Sequence, residues 1–367
     1  MGTASTRPIV PLLHDLLPRL QDYFVNLNSI IPLFNQTTFM RIVHENNGNP
    51  SPLVNAAINV ILALTYQQKG TQLPPIPGFD QDSCISNVES VINNHDSRRD
   101  LLGLQVFLGL IIFNLGAPRE GTVAYISTLL GSAVKLSHRL GLNRASTNNR
   151  FDPETALQRA RVFWIIYILD RQMTTISHDP PLQQDMDLDA QIPPPTLGSG
   201  LVRFTTPSGK QIDFDFLTSR IQLSRIQGVI YTQLYSVHAS SQPPETLQQS
   251  TKQIRAMLGQ WLTTTMPRDL YPDNLTGVSP PSAVRELIAL YFNYIFCLMH
   301  THKVGQHSAE WITRLVNYSQ EIVQGSHPSP DLVQPSSGWN ELVSAARDCA
   351  RLFRAIQKDD VALMWYA

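Results

Sequence analysis

Apolar residues recur at helical spacing along almost the whole chain. Leu53, Ala56, Ala57, Val60, Ile61 and Leu64 follow one another at steps of 3, 1, 3, 1 and 3, which draws one apolar face on a helix opening at Ser51-Pro52. Pro52 sits in a first turn, where its missing N–H would have had no partner. The same reading predicts helices over Ser83–Asn94, Leu101–Leu115, Thr122–Leu140 and from Asp152 to about Ile176. The last of these has the clearest start. Asp152 offers a side-chain acceptor, Pro153 the first helical residue, and Glu154 an acid facing the dipole. Its middle, Val162-Phe-Trp-Ile-Ile-Tyr-Ile-Leu169, has no polar face, and a helix apolar all round is buried all round. Further helices are predicted at Leu217–Ser236, Glu245–Thr265, Ser282–His302, Ala309–Gly325 and Trp339–Gln357.

One segment changes period. Val202-Arg-Phe-Thr-Thr206 and Gln211-Ile-Asp-Phe-Asp-Phe216 alternate apolar and polar residues, and Pro207-Ser-Gly-Lys210 joins them with turn formers. This predicts a β-hairpin inserted at residues 202–216. Loops rich in Pro, Ser and Gly occupy Asp179–Gly200 and Gly325–Gly338. The expected fold is all-α: a multi-helix bundle of about ten helices with that one small hairpin, in a single domain over residues 1–367.

Composition narrows what such a bundle does. The chain has 28 Lys plus Arg against 29 Asp plus Glu, a formal net charge of −1, and so lacks the basic excess of a free-standing nucleic-acid binder. The three cysteines, Cys84, Cys297 and Cys349, stand alone, so neither a cysteine zinc cluster nor an iron–sulfur site is encoded. Such a count also fits a reducing compartment. The opening residues lack the pattern of a signal peptide. The unbroken aliphatic runs, such as Val106–Phe113, are about half a membrane span. A soluble intracellular protein with no membrane partner is expected.

Common catalytic and cofactor motifs are absent: Gly-x-Gly-x-x-Gly, the phosphate loop, His-Glu-x-x-His and Gly-x-Ser-x-Gly do not occur. His300, His302 and His307 cluster, but His300 and His302 point about 200° apart on a helix. A solvated helix end is the expected reading, with no metal and no cofactor. The acids Asp185, Asp187 and Asp189 alternate, as on an extended loop with Met186 and Leu188 tucked inward. Asp170-Arg171 closes the apolar run of the central helix. Charges at the edge of a core must be paired, and His138, Arg139, Arg159 and Arg161 are the candidate partners. The expected result is a clamp between this helix and the preceding one; the alternative is a polar group lining an interior pocket.

These residues also carry a resemblance. Ala133-Val-Lys-Leu-Ser-His-Arg-Leu-Gly-Leu-Asn-Arg144 comes first, then Glu154, Arg159, Arg161, Phe163-Trp164, Tyr167 and Leu169-Asp170-Arg171, and last Asp185–Pro193. In that order they resemble the middle homology region of fungal zinc-cluster transcription factors, the fungal-specific regulatory domain. Asp22–Phe34 with Phe39 is similar to the family's opening motif, and Ala345–Leu363 to its arginine-rich helix followed by Lys358-Asp-Asp360. Three departures stand out. The six-cysteine DNA-binding cluster is missing. The family's Gly-Arg-Pro turn is replaced by His178-Asp-Pro180, and Ala160 stands in the arginine triplet. The family's late Leu-His-Arg-Pro becomes Leu298-Met-His-Thr-His302.

The resemblance implies a nuclear helical module that restrains or licenses an activation segment and binds a small lipophilic effector between its helices, in a pathway such as a secondary-metabolite cluster. Without the cluster it implies a part or a short form of a longer factor. Such a chain works through a homodimer or a heterodimer with a full-length factor and does not contact nucleic acid itself. The residues it singles out for clamp or pocket are His138, Arg139, Arg159, Arg161, Trp164, Tyr167, Asp170, Arg171 and His178. The alternative is a cytoplasmic, cofactor-free isomerase or cyclase built on the same scaffold, with an acid–base pair in an apolar cavity.

Overall fold

The computed structural model describes residues 11–46, 50–68, 73–74, 76–93, 100–116, 121–306, 309–325 and 339–356. The first layer is helical. Helix α1 (Leu13–Tyr23) runs into a π-helical turn at Phe24–Asn28, and α2 (Gln36–Glu45), α3 (Pro52–Gln67), α4 (Gln81–Ile92), α5 (Leu101–Gly116) and α6 (Thr122–Arg139) follow. The short α7 (Ala145–Asn148) leads into the long α8 (Pro153–Ser177). Several starts are capped as their sequences dictate. The side chains of Asn35, Ser51, Asp80 and Asp152 accept from the N–H groups of Thr38, Val54, Ser83 and Thr155, each satisfying a donor the helix leaves open. Helix α3 is buried from Val54 to Thr65, packed between α4 and α5, while α5 lies on α6 and α6 on α8.

The second layer begins with a three-stranded sheet: β1 (Thr196–Leu197), β2 (Gly200–Thr205) and β3 (Gln211–Asp215) in that order. Helix α9 (Phe216–Ile230) ends in a π-helical turn at Tyr231–Tyr235, followed by α10 (Val237–Ser240), α11 (Pro244–Thr265), α12 (Pro281–Gln306), α13 (Ala309–Val323) and α14 (Trp339–Ala355). Two apolar cores result. One gathers α1 to α8; the other gathers the sheet, α9, α11, α12 and α14. The two meet where α8 packs on α9, and Ile31 touches both.

The predicted hairpin is present, with Val202 opposite Phe214, Arg203 opposite Asp213 and Phe204 opposite Ile212. Period two places Val202, Phe204 and Phe214 inward. Phe216 belongs instead to α9, whose cap is Asp215. Strand β1 pairs parallel to β2; two residues are too few for a period to announce it. Helices α1 and α2 and the one-turn α7 and α10 add to the ten predicted. Pro18 inside α1 is the residue that breaks the expected pattern there. Leu217–Ser236 is not one α-helix, because its end widens to the π-turn. Residues Pro281–Lys303 have the length and apolar composition of a membrane span, yet 61% of that window is buried inside the protein. Polar residues such as Asn293 and Tyr294 interrupt its aliphatic runs, so no single run shows the length. The Lys358-Asp-Asp360 motif and His307 lie outside the described residues.

Candidate functional site

Helix α8 is the hub. Residues from Gln158 to Thr174 are buried on nearly every side, so its polar atoms must find partners inside the protein. Asp170 and Arg171 are each only 2% exposed. Asp170 accepts from Arg171 Nη1 at 2.9 Å, from the Leu182 N–H at 2.8 Å and from the Gln183 N–H at 3.1 Å. Arg171 also donates to the Gln183 carbonyl and to Asp185 Oδ1. Its guanidinium lies 4.5 Å from the Tyr167 ring centre, and the Tyr167 hydroxyl donates to the same Asp185 oxygen at 2.8 Å. Trp164 Nε1 donates to the Gln191 carbonyl. Together these bonds strap the loop 182–191 onto α8. Burial pushes the Asp170 carboxyl up, opposed by the two N–H groups and Arg171, and pushes the Tyr167 hydroxyl up to about 12.

The clamp therefore differs from the expected one. Asp170 takes its neighbour Arg171 and a loop, and none of His138, Arg139, Arg159 or Arg161. Adjacent helical residues diverge by about 100°, but the long arginine curls back to meet a carboxylate at the helix edge. His138 and Arg139 are exposed at the end of α6. Arg159 lies 4.1 Å over the Phe151 ring and donates to Asn148 Oδ1 and to the Leu140 carbonyl at the α6 terminus. Arg161 is buried with its Nε unbonded. The acidic run forms a 3-10 turn at Asp185–Asp187; since Asp185 turns to Arg171, Met186 swings out and is 89% exposed rather than tucked in.

A second feature lies at the far end of α8. His178 caps the helix in the left-handed region, with φ +63°. A small cavity of about 20 Å³, partly open to solvent, is lined there by Thr174, Thr175, His178, Gln227, Tyr235 and His300 among others. The π-turn after α9 supplies Tyr235, and α12 supplies His300 and the buried Cys297. Four rings cluster at the mouth: His300 is 4.6 Å from Phe296, 5.2 Å from His178 and 5.6 Å from Tyr235, while His178 and Tyr235 are nearly parallel at 16°. Burial, with His178 and Lys303 nearby, holds His300 down to about 4, and burial pushes the Cys297 thiol up to about 12.

His302 points away from His300. It is 3% exposed and 3.2 Å from Glu341 of α14, not solvated, because α12 continues past it to Gln306. Among the described residues no group of three metal-ligating side chains comes together. Of the residues singled out in the sequence, α8 itself brings together Trp164, Tyr167, Asp170 and Arg171, and His178 and His300 reach the cavity. Tyr235 and Gln227 carried no signal, since both lie within what reads as an ordinary amphipathic helix.

The scaffold is all-α and organised about a buried arginine-bearing helix, with an acidic loop strapped onto it. The chain belongs to the family described as the fungal specific transcription factor domain, which it matches over residues 20–263. It is similar to an ABC-transporter-regulating transcription factor of Aspergillus oryzae, 28% identical over 98% of this chain and 40% of that protein. A protein of the same description from Aspergillus fumigatus is 27% identical, again over 98% of this chain and 40% of its own length. The Fusaridione A cluster transcription factor fsdR of Fusarium heterosporum is 22% identical over 80% of this chain and 55% of that protein. The chain thus spans about 40% of the length of the first two relatives. No solved structure matches it.

Proposed function

We propose that this chain is the effector-sensing and regulatory part of a nuclear fungal transcription factor, and that the cavity between α8, α9 and α12 is where the effector sits. The observation that carries the reading is the cavity itself: apolar and aromatic walls with a few polar fixtures, the character of small-molecule sites between helices. It lies at the junction of the two cores, where a ligand would bias how α8 packs on α9. Both cores are taken to act as one domain across that junction. The relatives described as regulating an ABC transporter and as a fusaridione cluster factor support a lipophilic or secondary-metabolite effector. Dimerisation belongs to the same reading, because Val316 and Val323 stand exposed seven residues apart on α13, the spacing of one helix face. DNA contact is left to a partner or to another part of a longer factor.

An isomerase or cyclase would need a free acid–base pair in its cavity. Asp170 is committed to three bonds, and among the described residues no carboxylate lines the cavity. The test is a reporter. The chain fused to a heterologous DNA-binding domain and activation segment should change reporter output when fungal culture extracts are added. His300→Ala, checked by its melting temperature to be folded, should lose that response. A reporter indifferent to every extract and to the variant would remove the effector reading.

A further inference from the structure

A glycine inside a helix weakens it relative to alanine, so a buried helical glycine asks for a reason. Gly228 is such a residue, within α9. A Cβ on it would lie 3.0 Å from Arg171 Nε and 3.5 Å from Arg171 Cδ, tighter than a Cβ normally packs. The reason is the arginine: α9 brings bare backbone against the stem side of the guanidinium. The opposite side of the same guanidinium carries the strap. Nη1 donates to Asp170, and Nη2 donates to the Gln183 carbonyl at 2.9 Å and to Asp185 at 2.8 Å. One buried side chain thus stands between α9, which belongs to the second core, and the loop 182–191.

The arginine has little room to yield. It is buried, with the Tyr167 ring 4.5 Å from its guanidinium, and each of its hydrogen bonds beyond α8 goes to the loop. Interiors are close-packed, so any displacement of the guanidinium is taken from those bonds. The strap itself is held mainly by polar contacts. Leu182 and Met186 face solvent, and Leu188 and Ile192 are only partly buried against the first core. At its seat Arg171 Nε, Gln183 Oε1 and Asn143 Oδ1 are buried without a hydrogen-bond partner in the protein. The Asn143 amide does hold the Asp187 carbonyl, at 3.2 Å. Unpaired buried polar atoms offset what such bonds contribute. A segment with few buried apolar contacts opens before the whole protein unfolds.

We propose that Arg171 couples the strap to the packing of α8 on α9. The loop 182–191 stays docked while α9 rests on the arginine through Gly228, and a shift of α9 along α8 frees it. The strap is then a two-state element at the junction of the two cores. Freed, it uncovers the side of α8 that carries Trp164, Tyr167 and Arg171, whose side chains now bond to it. Coupling of this kind is reciprocal, so loosening the strap from its own side also loosens α9 around Gly228. None of this depends on the cavity at the end of α8 or on what binds there.

Amide hydrogen exchange on the full chain reads the coupling in both directions. Gly228→Ala is the first variant, and alanine by itself favours the helix. The Leu182 and Gln183 amides, which Asp170 holds, should exchange about tenfold faster, the scale of one lost hydrogen bond. Amides of α3, deep in the first core, should keep the parent's rate. If the Leu182 and Gln183 amides stay at the parent's rate, or quicken only in step with α3, the coupling is wrong. The second variant, Asp185→Asn, changes a half-exposed side chain and so tests the reverse direction even where Gly228→Ala fails to fold. It should quicken the strap and, roughly threefold, the α9 amides from Gln227 to Val229, again without moving α3. Amides of α9 at the parent's rate, whether or not the strap quickens, would overturn the proposal, as would a rise shared equally by α3.

Discussion

At the scale of single residues the decisive fact is how completely Asp170 is engaged. Asn in its place offers one acceptor oxygen instead of two and no charge. Arg171 would be left at 2% exposure with only Asp185, itself 58% exposed in its side chain, to balance it. Removing one partner of a buried pair costs about 3–5 kcal/mol. Asp170→Asn should lose that much in urea unfolding, and adding Arg171→Met should recover part of it. Arg161→Met combined with Asp170→Asn should be additive, since the two side chains share no bond. An Asp170→Asn variant as stable as the parent would show that the strap does not hold the loop. The sequence made the burial of Trp164, Tyr167, Asp170 and Arg171 legible, because an eight-residue apolar run leaves charges at its edge nowhere to go. It did not reveal the partners. They come from backbone N–H and carbonyl groups of residues 182–183 and from a 3-10 turn at 185–187, and no side-chain periodicity marks either.

At the scale of elements, long helices whose apolar runs end at clear glycine, proline or capping residues were legible to within a residue or two, as α5, α6 and α8 show. Where a helix contains a proline, as α1 does, or widens to a π-turn, as α9 does, the 3.6-residue pattern is lost and so is the prediction. The π-turn matters because it carries Tyr235 to the cavity; such turns recur at functional sites. The end of α6 shows an element boundary fixed by one residue. Gly141 has φ +70°, and a Cβ there would meet Thr147 Cγ2 at 2.7 Å, while the Leu142 N–H closes on the Ser137 carbonyl. Gly141→Ala pays both for a left-handed alanine and for the contact, about 1–3 kcal/mol. A lowered melting temperature with unchanged helical circular dichroism is the expected signature.

For the molecule as a whole, pH should act through histidines kept from protonating. Unfolded, His300 takes a proton near 6.5; folded, only near about 4. Between those values the unfolded chain binds more protons, so stability falls as pH drops from 6.5 toward 4 and is fully present above that window. His302 is lowered in the same direction by burial and Arg255, against Glu341. Melting temperatures between pH 7.5 and 4.5 should decline, and His300→Gln should flatten the decline without abolishing it. An equal slope in parent and variant would mean that His300 titrates freely. The charge balance bears on partners. With a net charge of −1 few counterions are released on contact with DNA, so the chain by itself should give no sequence-specific gel shift. A submicromolar shift at physiological salt would refute this. The all-α class was legible from periodicity alone. The cavity was not, since it needs α8, α9 and α12 side by side, and that juxtaposition has no trace in the order of residues.

The left-handed cap of α8 has a consequence for how this chain changes under selection. His178 is the non-glycine residue with positive φ among those described, a conformation that costs an L-residue about 1–2 kcal/mol. Glycine would relieve it, so His178→Gly should raise the melting temperature while emptying one wall of the cavity. Selection of a random library for heat resistance alone should therefore drift to glycine at position 178, and selection for a response to effector should hold the histidine. The two libraries, sequenced at this codon, would separate what the backbone wants there from what the ligand does.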